Sequence, residues 1–268
     1  MPPLSVAGTQ LHVERRGTGE PLLLIQGLGG NSLHWGEPFL RELERDFEVI
    51  LFDNRGAGRS APLHGDLTTA GMAADALALL DALGIERAHV FGISMGGMVA
   101  QELALAAPER IASLVLGCTS CGGTQSRATD QAVIQKLTAA VLSGDHERTL
   151  RTGFELVVSA RFAADPKNYA AFAEAARRHP ATIPLLMSQQ AAVVAHDTYS
   201  RLRGLTVPTL VIHGTADQML GAVNGDLVAS LIPGAGLERL EGIGHIFFWE
   251  QPERSAQLIR EHAAAAPA

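Results

Sequence analysis

The sequence predicts an α/β chain, with a mostly parallel central sheet covered by helices and a helical insert lodged between two core strands. Three observations carry this. Short apolar runs rich in β-branched residues alternate with longer segments of helical spacing, the pattern of a doubly covered α/β sheet. The runs at 22–25 and 49–51 are apolar on successive residues, as expected of strands covered on both faces. Between Ser120 and about Arg203 the strand signals stop and only helical patterns remain.

In chain order, strands are expected at 11–14, 22–26, 47–53, 89–93, 112–117, 209–213 and 237–240. Helices are expected at 37–45, 69–83, 95–107, 221–231 and 252–265. Within 69–83, Met72, Ala76, Leu79, Leu80 and Leu83 share one helical face. The segments 11–14 and 237–240 alternate with polar residues, which suits positions near a sheet edge. The insert shows helical patterns near 131–142, 146–160, 167–178 and 183–195, opened by Gly122-Gly123 and followed by Val207-Pro208. An insert of that length cannot join the sheet and must sit on top of it. Ligands bind at the carboxyl edge of open α/β sheets, so an excursion there reads as a lid. A helical extension without contact to a site is the plainer alternative. The division that follows is a core of 1–119 and 204–268 with a lid, or cap, of 120–203.

Composition narrows the function classes. The chain has 268 residues, 47% hydrophobic and 18% charged, which excludes disorder. Its 21 basic and 28 acidic residues give a net charge of −7, which argues against a grip on nucleic acid or anionic lipid. No apolar run reaches the length of a membrane span. The segment 1–16 does not read as a secretory signal. Two cysteines make no disulfide framework, so a cytoplasmic protein is the plain reading. Cys118 and Cys121 form C-x-x-C, but without a thioredoxin-like context or four zinc ligands they read as small buried or pocket-rim side chains.

The strongest chemical signal is Gly92-Ile93-Ser94-Met95-Gly96-Gly97, directly after a strand and before a helical segment. A nucleophile on a sharp, strained strand-to-helix turn needs glycine at both flanks, where a side chain would collide with neighbouring strand and helix. The turn also sets Ser94 near a helix N-terminus, where free amides favour developing negative charge.

With GISMGG stand QGLGG at 26–30, DNRGAGRS at 53–60, HGTAD at 213–217 and GIGH at 242–245. In order and strand context this set resembles the α/β-hydrolase fold family. The resemblance covers nearly the whole chain outside the insert and does not single out one reaction. It implies a nucleophile at Ser94, an acid at Asp217 and a base at His245, since the family's triad runs serine, acid, histidine with the last two after late strands. Asp226 is the rival acid, placed in a helix that faces solvent. Among the other histidines, His213 lies inside a strand and reads as packed, while His34, His64 and His196 lie in loop or insert regions. The resemblance further implies an oxyanion hole from the backbone amides of Met95 and Leu28. Here the chain departs from the common pattern, carrying Gln26 where the family has histidine. Gly27, Trp35 and Phe247 are expected to face the substrate, although the cluster at 247–249 could equally pack behind His245. The segment at 53–58 reads as a braced turn, and no nucleotide-gripping loop is present.

The implied activity is a serine hydrolase acting on small to medium, moderately hydrophobic esters or lactones, with no cofactor or metal. Two alternatives stand beside it. One is carbon–carbon bond hydrolysis of diketones, with Arg161, Arg177 or Arg178 holding a substrate carboxylate. The other is a catalytically silent ligand-binding protein. The expected partner is the small-molecule substrate, with no nucleic acid and no membrane. Oligomeric state stays open, a homodimer included.

Overall fold

The computed structural model describes residues 3–267. Its strands are β1 (Leu4–Val6), β2 (Thr9–Leu11), β3 (Val13–Arg16), β4 (Glu20–Ile25), β5 (Phe47–Phe52), β6 (Ala88–Ile93), β7 (Ile111–Gly117), β8 (Thr209–Gly214) and β9 (Gly236–Leu240). The core helices are α1 (Glu37–Leu43), α2 (Thr69–Ala82) and α3 (Met95–Ala106). The insert carries α4 (Gln131–Leu142), α5 (His146–Val157), α6 (Ala160–Ala163), α7 (Pro166–Arg178) and α8 (Ile183–Ala195). After it come α9 (Val223–Leu231), α10 (Phe247–Glu250) and α11 (Pro252–Ala264). The main sheet has seven strands in the order β3-β5-β4-β6-β7-β8-β9, and every pairing is parallel except β3 with β5.

Successive residues of β4 divide between two cores. Leu23 and Ile25 pack with Leu79 of α2 and Val99 of α3, while Leu22 and Leu24 pack with Leu43 of α1 and Ile259 of α11. The period-two alternation of a strand thus feeds two apolar layers at once, which is why these runs carry no polar residue. β6 is buried along its whole length, as its central place requires.

One segment departs from the sequence reading. The stretch expected as a single strand at 11–14 is divided, because Leu11 ends a hairpin of β1 and β2 while Val13 begins β3. Ala7 and Gly8, both at positive φ (44° and 78°), close that hairpin. The alternation around Leu11 and Val13 does not reveal that the chain changes sheets between them.

All five insert helices lie between β7 and β8. Their two stems are stitched together: Thr198 N–H donates to the Cys121 carbonyl (2.8 Å) and Gly123 N–H to the His196 carbonyl (3.0 Å). His196 is buried at this junction, its Nδ1 3.0 Å from Thr69 Oγ1. No helix among the described residues is long and apolar enough to cross a membrane.

Burial lowers the His196 pKa to about 4 from an ordinary 6.5, against the pull of Glu102 and Asp197. The unfolded chain therefore binds the proton first, and stability is lost as the pH falls from 6.5 towards 4. Between pH 7 and pH 5 this one group removes about 2 kcal/mol. Urea unfolding at the two pH values is expected to show that loss in the wild type, and a correspondingly flatter pH dependence in His196→Asn.

Candidate active site

Ser94 sits between β6 and α3 with φ 58° and ψ −121°, a conformation that a side chain adopts only under strain. The flanking glycines permit it. A Cβ at Gly92 would lie 2.2 Å from the Gly96 carbonyl oxygen, and one at Gly96 would lie 2.0 Å from that of Ile25. No side chain fits at either position. The elbow is fixed by Ser94 N–H donating to the Gly117 carbonyl (2.9 Å) and by Thr119 Oγ1 donating to the Ser94 carbonyl (2.7 Å). Ser94 is partly exposed and lines a cavity of about 520 Å³ together with Gly27, Leu28, Met95 and His245.

His245 and Asp217 come from the loops after β9 and β8. His245 Nδ1 lies 2.7 Å from Asp217 Oδ2. That contact leaves Nε2 as the ring nitrogen free to exchange a proton with a group in the cavity. The Asp217 carboxylate is buried and fully engaged. Oδ1 accepts from Met219 N–H (2.8 Å) and Leu220 N–H (3.0 Å), and Oδ2 also lies 3.2 Å from His213 Nε2. Burial pushes this carboxyl up. The charges and hydrogen bonds of His245 and His213 outweigh it and hold the group well below the usual carboxylate range. Cys118 lies beneath, its sulfur within 4.8 Å of the Asp217 and His245 ligand atoms. Burial pushes its thiol up, with the Asp217 charge adding to the effect, so the sulfur stays protonated. Asp226 pairs instead with Arg239 at the surface (2.8 Å).

The turn at 27–30 follows β4. Gly27 N–H donates to Gln26 Oε1 (3.1 Å), Gly29 N–H to Gln189 Oε1 (2.7 Å) and Gly30 N–H to the Gly27 carbonyl (3.1 Å). Leu28 N–H is thus the one amide of the turn with no acceptor among the described residues. At the start of α3, Gly97 and Met98 N–H return to the Ser94 carbonyl, and Met95 N–H is likewise free. Two unpaired amides beside a strained serine can receive an oxyanion. Asp53, buried, braces this region by accepting from Ser32 N–H (2.7 Å) and Arg59 N–H (2.8 Å).

Trp35 and Phe247 do not face the cavity, contrary to expectation. Both are completely buried in an aromatic cluster, where the Trp35 and Phe247 rings lie tilted against Phe91 with centroids 5.2 Å and 6.0 Å from it. Their neighbours His34 and Phe248 line the cavity instead. A short helical turn points adjacent side chains in different directions, and a one-residue difference in phase decides which of them meets the cavity.

The remaining walls come largely from the cap, through Leu137, Leu150, Phe172, Leu186, Gln190 and Val193 among others. Among the described residues no Lys, Arg, Asp or Glu lines the cavity. Arg161, Arg177 and Arg178 lie outside it, Arg177 paired with Glu147. The sequence reading missed Gln189, the contact of His213 with Asp217, and Glu250. Glu250 Oε1 accepts from Gly244 N–H (2.8 Å) and from Ser159 N–H of the cap (2.9 Å). Gln189 with Gly29 and Glu250 with Ser159 join segments 160 and 91 residues apart, which no local pattern signals. His213 with Asp217 and Glu250 with Gly244 are short-range contacts set by the loops after β8 and β9.

Known proteins resemble this chain in sequence and in fold. The sequence profile of the alpha/beta hydrolase fold family matches residues 20–252. A protein of Azorhizobium caulinodans named as a carbamate hydrolase, RutD, is 31% identical over 264 residues, covering 97% of each chain. A hydrolase from Pseudomonas aeruginosa superposes with a TM-score of 0.82 at 30% identity, over 98% of both chains. The enol-lactonase of Burkholderia xenovorans gives 0.84 at 25% identity, over 98% of this chain and 100% of its own. With the family profile matched over residues 20–252 and a relative 31% identical over 97% of each chain, the chain belongs to the α/β-hydrolase fold family.

Proposed function

We propose that the protein is a serine hydrolase of neutral, moderately hydrophobic carboxylic esters or lactones, acting through an acyl-enzyme. The observation that carries this reading is the elbow serine opening on an apolar cavity beside a histidine already bonded to a buried carboxylate. Ser94 Oγ attacks the acyl carbon and His245 Nε2 takes its proton. The tetrahedral oxygen is received by the amides of Leu28 and Met95. The alcohol leaves with the proton returned by His245. Water, deprotonated by the same nitrogen, then releases the acid from Ser94. Asp217 keeps the imidazole oriented and stabilises its charged form. Among the described residues Ser94 Oγ makes no hydrogen bond to the imidazole, whose Nδ1 is engaged by Asp217, and catalytic contacts of this kind often tighten only when substrate is bound.

The walls support this choice of substrate class. A cavity without a charged side chain offers no counter-ion for a substrate carboxylate, which disfavours the diketone hydrolase reading. A silent binding protein has little use for a strained serine beside a histidine oriented by a buried carboxylate. The relatives named as carbamate hydrolases favour one second reading, since a carbamate carbonyl passes through the same tetrahedral geometry. The buried free thiols of Cys118 and Cys121 suit a reducing, cytoplasmic setting.

A fluorophosphonate probe is expected to label the wild type and not Ser94→Ala, whose ester turnover falls by about 10⁴- to 10⁶-fold. Retention of most of the rate in that variant removes Ser94 as nucleophile. Asp217→Asn is expected to lower kcat by about 10⁴-fold with the fold intact. In a competition of aryl butyrate, enol lactone, aryl carbamate and a vinylogous diketone carboxylate, the ester or lactone is expected to show the highest kcat/KM. Preference for the carbamate selects the second reading, and preference for the diketone overturns the assignment.

A further inference from the structure

We propose that Gln189, on cap helix α8, is a positioning residue of the oxyanion turn, so that the turn holds its productive shape only while the cap is docked. The proposal deepens the serine-hydrolase reading and rests on it. Gln189 Oε1 accepts from Gly29 N–H at 2.7 Å, across 160 residues of chain. Because Gly29 can only donate there, the orientation of the side-chain amide is decided by the contact. Gly27 and Gly30 find their acceptors within the segment 26–30 itself. Gly29 relies on the cap.

The geometry of the turn explains why that matters. Residues 27–30 are closed by Gly30 N–H on the Gly27 carbonyl, with Gly29 at φ 72°, the signature of a type II turn. Its middle peptide, between Leu28 and Gly29, is the plane that flips on conversion to type I. The closing bond holds the peptide on the amide side of Leu28. Gln189 holds the peptide on its carbonyl side. With both in place the free Leu28 N–H has one direction, and without Gln189 the second constraint is gone.

Two further features tie the turn to the cap. A Cβ at Gly29 would lie 2.9 Å from Leu186 Cδ2, so α8 packs against the turn backbone. Asn31 Nδ2 donates to the His179 carbonyl at the end of α7 (3.0 Å). Gln189 is also completely buried, and its Nε2 has no partner. A buried amide satisfied at one end only is a poor choice for packing alone. Its accepting end is what the site uses.

The test compares Gln189→Met, which keeps the length and removes the acceptor, with Gln189→Glu, which keeps an acceptor oxygen. Aryl ester kinetics are measured beside affinity for an aryl boronic acid, which forms a tetrahedral adduct with a serine nucleophile. The Met variant is expected to lose about 10- to 100-fold in kcat, with KM within about threefold and boronate affinity falling in parallel. The Glu variant recovers most of both. A loss carried by KM, equal losses in Met and Glu, or wild-type kcat in Met overturns the proposal. Amide exchange of the wild type reads the clamp without turnover or a variant. Gly29 N–H is expected to exchange at least tenfold more slowly than Leu28 N–H, and equal rates overturn the clamp. If the wild type neither takes up phosphonate nor cleaves esters, the enzyme reading fails separately, whatever Gly29 shows.

Discussion

The contact of α3 with β4 at the elbow is the constraint on which the rest depends. Helix α3 begins so close to the end of β4 that a side chain at Gly96 would overlap the Ile25 carbonyl. That closeness forces Ser94 into the left-handed region and turns its hydroxyl to the carboxyl edge of the sheet. It also sets the free Met95 amide beside the turn that carries Leu28. The proposed nucleophile and oxyanion donors are thus placed by one backbone arrangement. The strain at Ser94, on the order of 1–3 kcal/mol, is sustained because β6 is buried along its whole length and cannot relax.

A second constraint is electrostatic. Burying a carboxylate is costly unless its lone pairs are met, and Asp217 is met by two backbone amides and two imidazoles. Three of those donors come from its own loop and strand, and His245 supplies the fourth. His213, with Nε2 donating to the Leu220 carbonyl (2.7 Å) as well, fixes the loop that bears the acid. Its other nitrogen is buried without a partner, so this ring serves the acid at some cost to its own hydration.

Much of this was legible in the sequence, for physical reasons. Strand stretches buried on both faces run apolar on successive residues, and the glycines of the elbow have no substitute, so the runs 22–25 of β4 and 49–51 of β5 and the Ser94 turn announce themselves locally. The positions of Asp217 and His245 rest on chain order after late strands, which is topology rather than pattern. What stayed hidden depends on phase and on distant partners. Trp35 and Phe247 look like pocket aromatics, yet one residue of rotation puts His34 and Phe248 there. Gln189 sits among unremarkable helix formers, and only the docking of α8 on the 27–30 turn gives its amide a role. The division of the 11–14 segment between two sheets was likewise invisible, because alternation survives a change of partner strand.

The cap therefore has more to do than cover the sheet. It touches the base loop through Ser159 and Glu250, and through Ile246 N–H on the Val157 carbonyl (2.9 Å). It touches the oxyanion turn through Gln189 and His179. The same helices supply the apolar walls. A substrate large enough to press α5 and α8 apart would disturb both catalytic loops, and one that fills the space keeps them seated. In the proposed reaction, size selection and transition-state stabilisation would then draw on the same contacts. A hydrophobic acyl group would contribute through the walls to the geometry that reacts with it, and a small polar one would not. In the proposed reaction the apolar walls would also let the two free amides act on the oxyanion with less screening than in solvent, so a lining without charged side chains among the described residues would bear on rate as well as on choice of substrate.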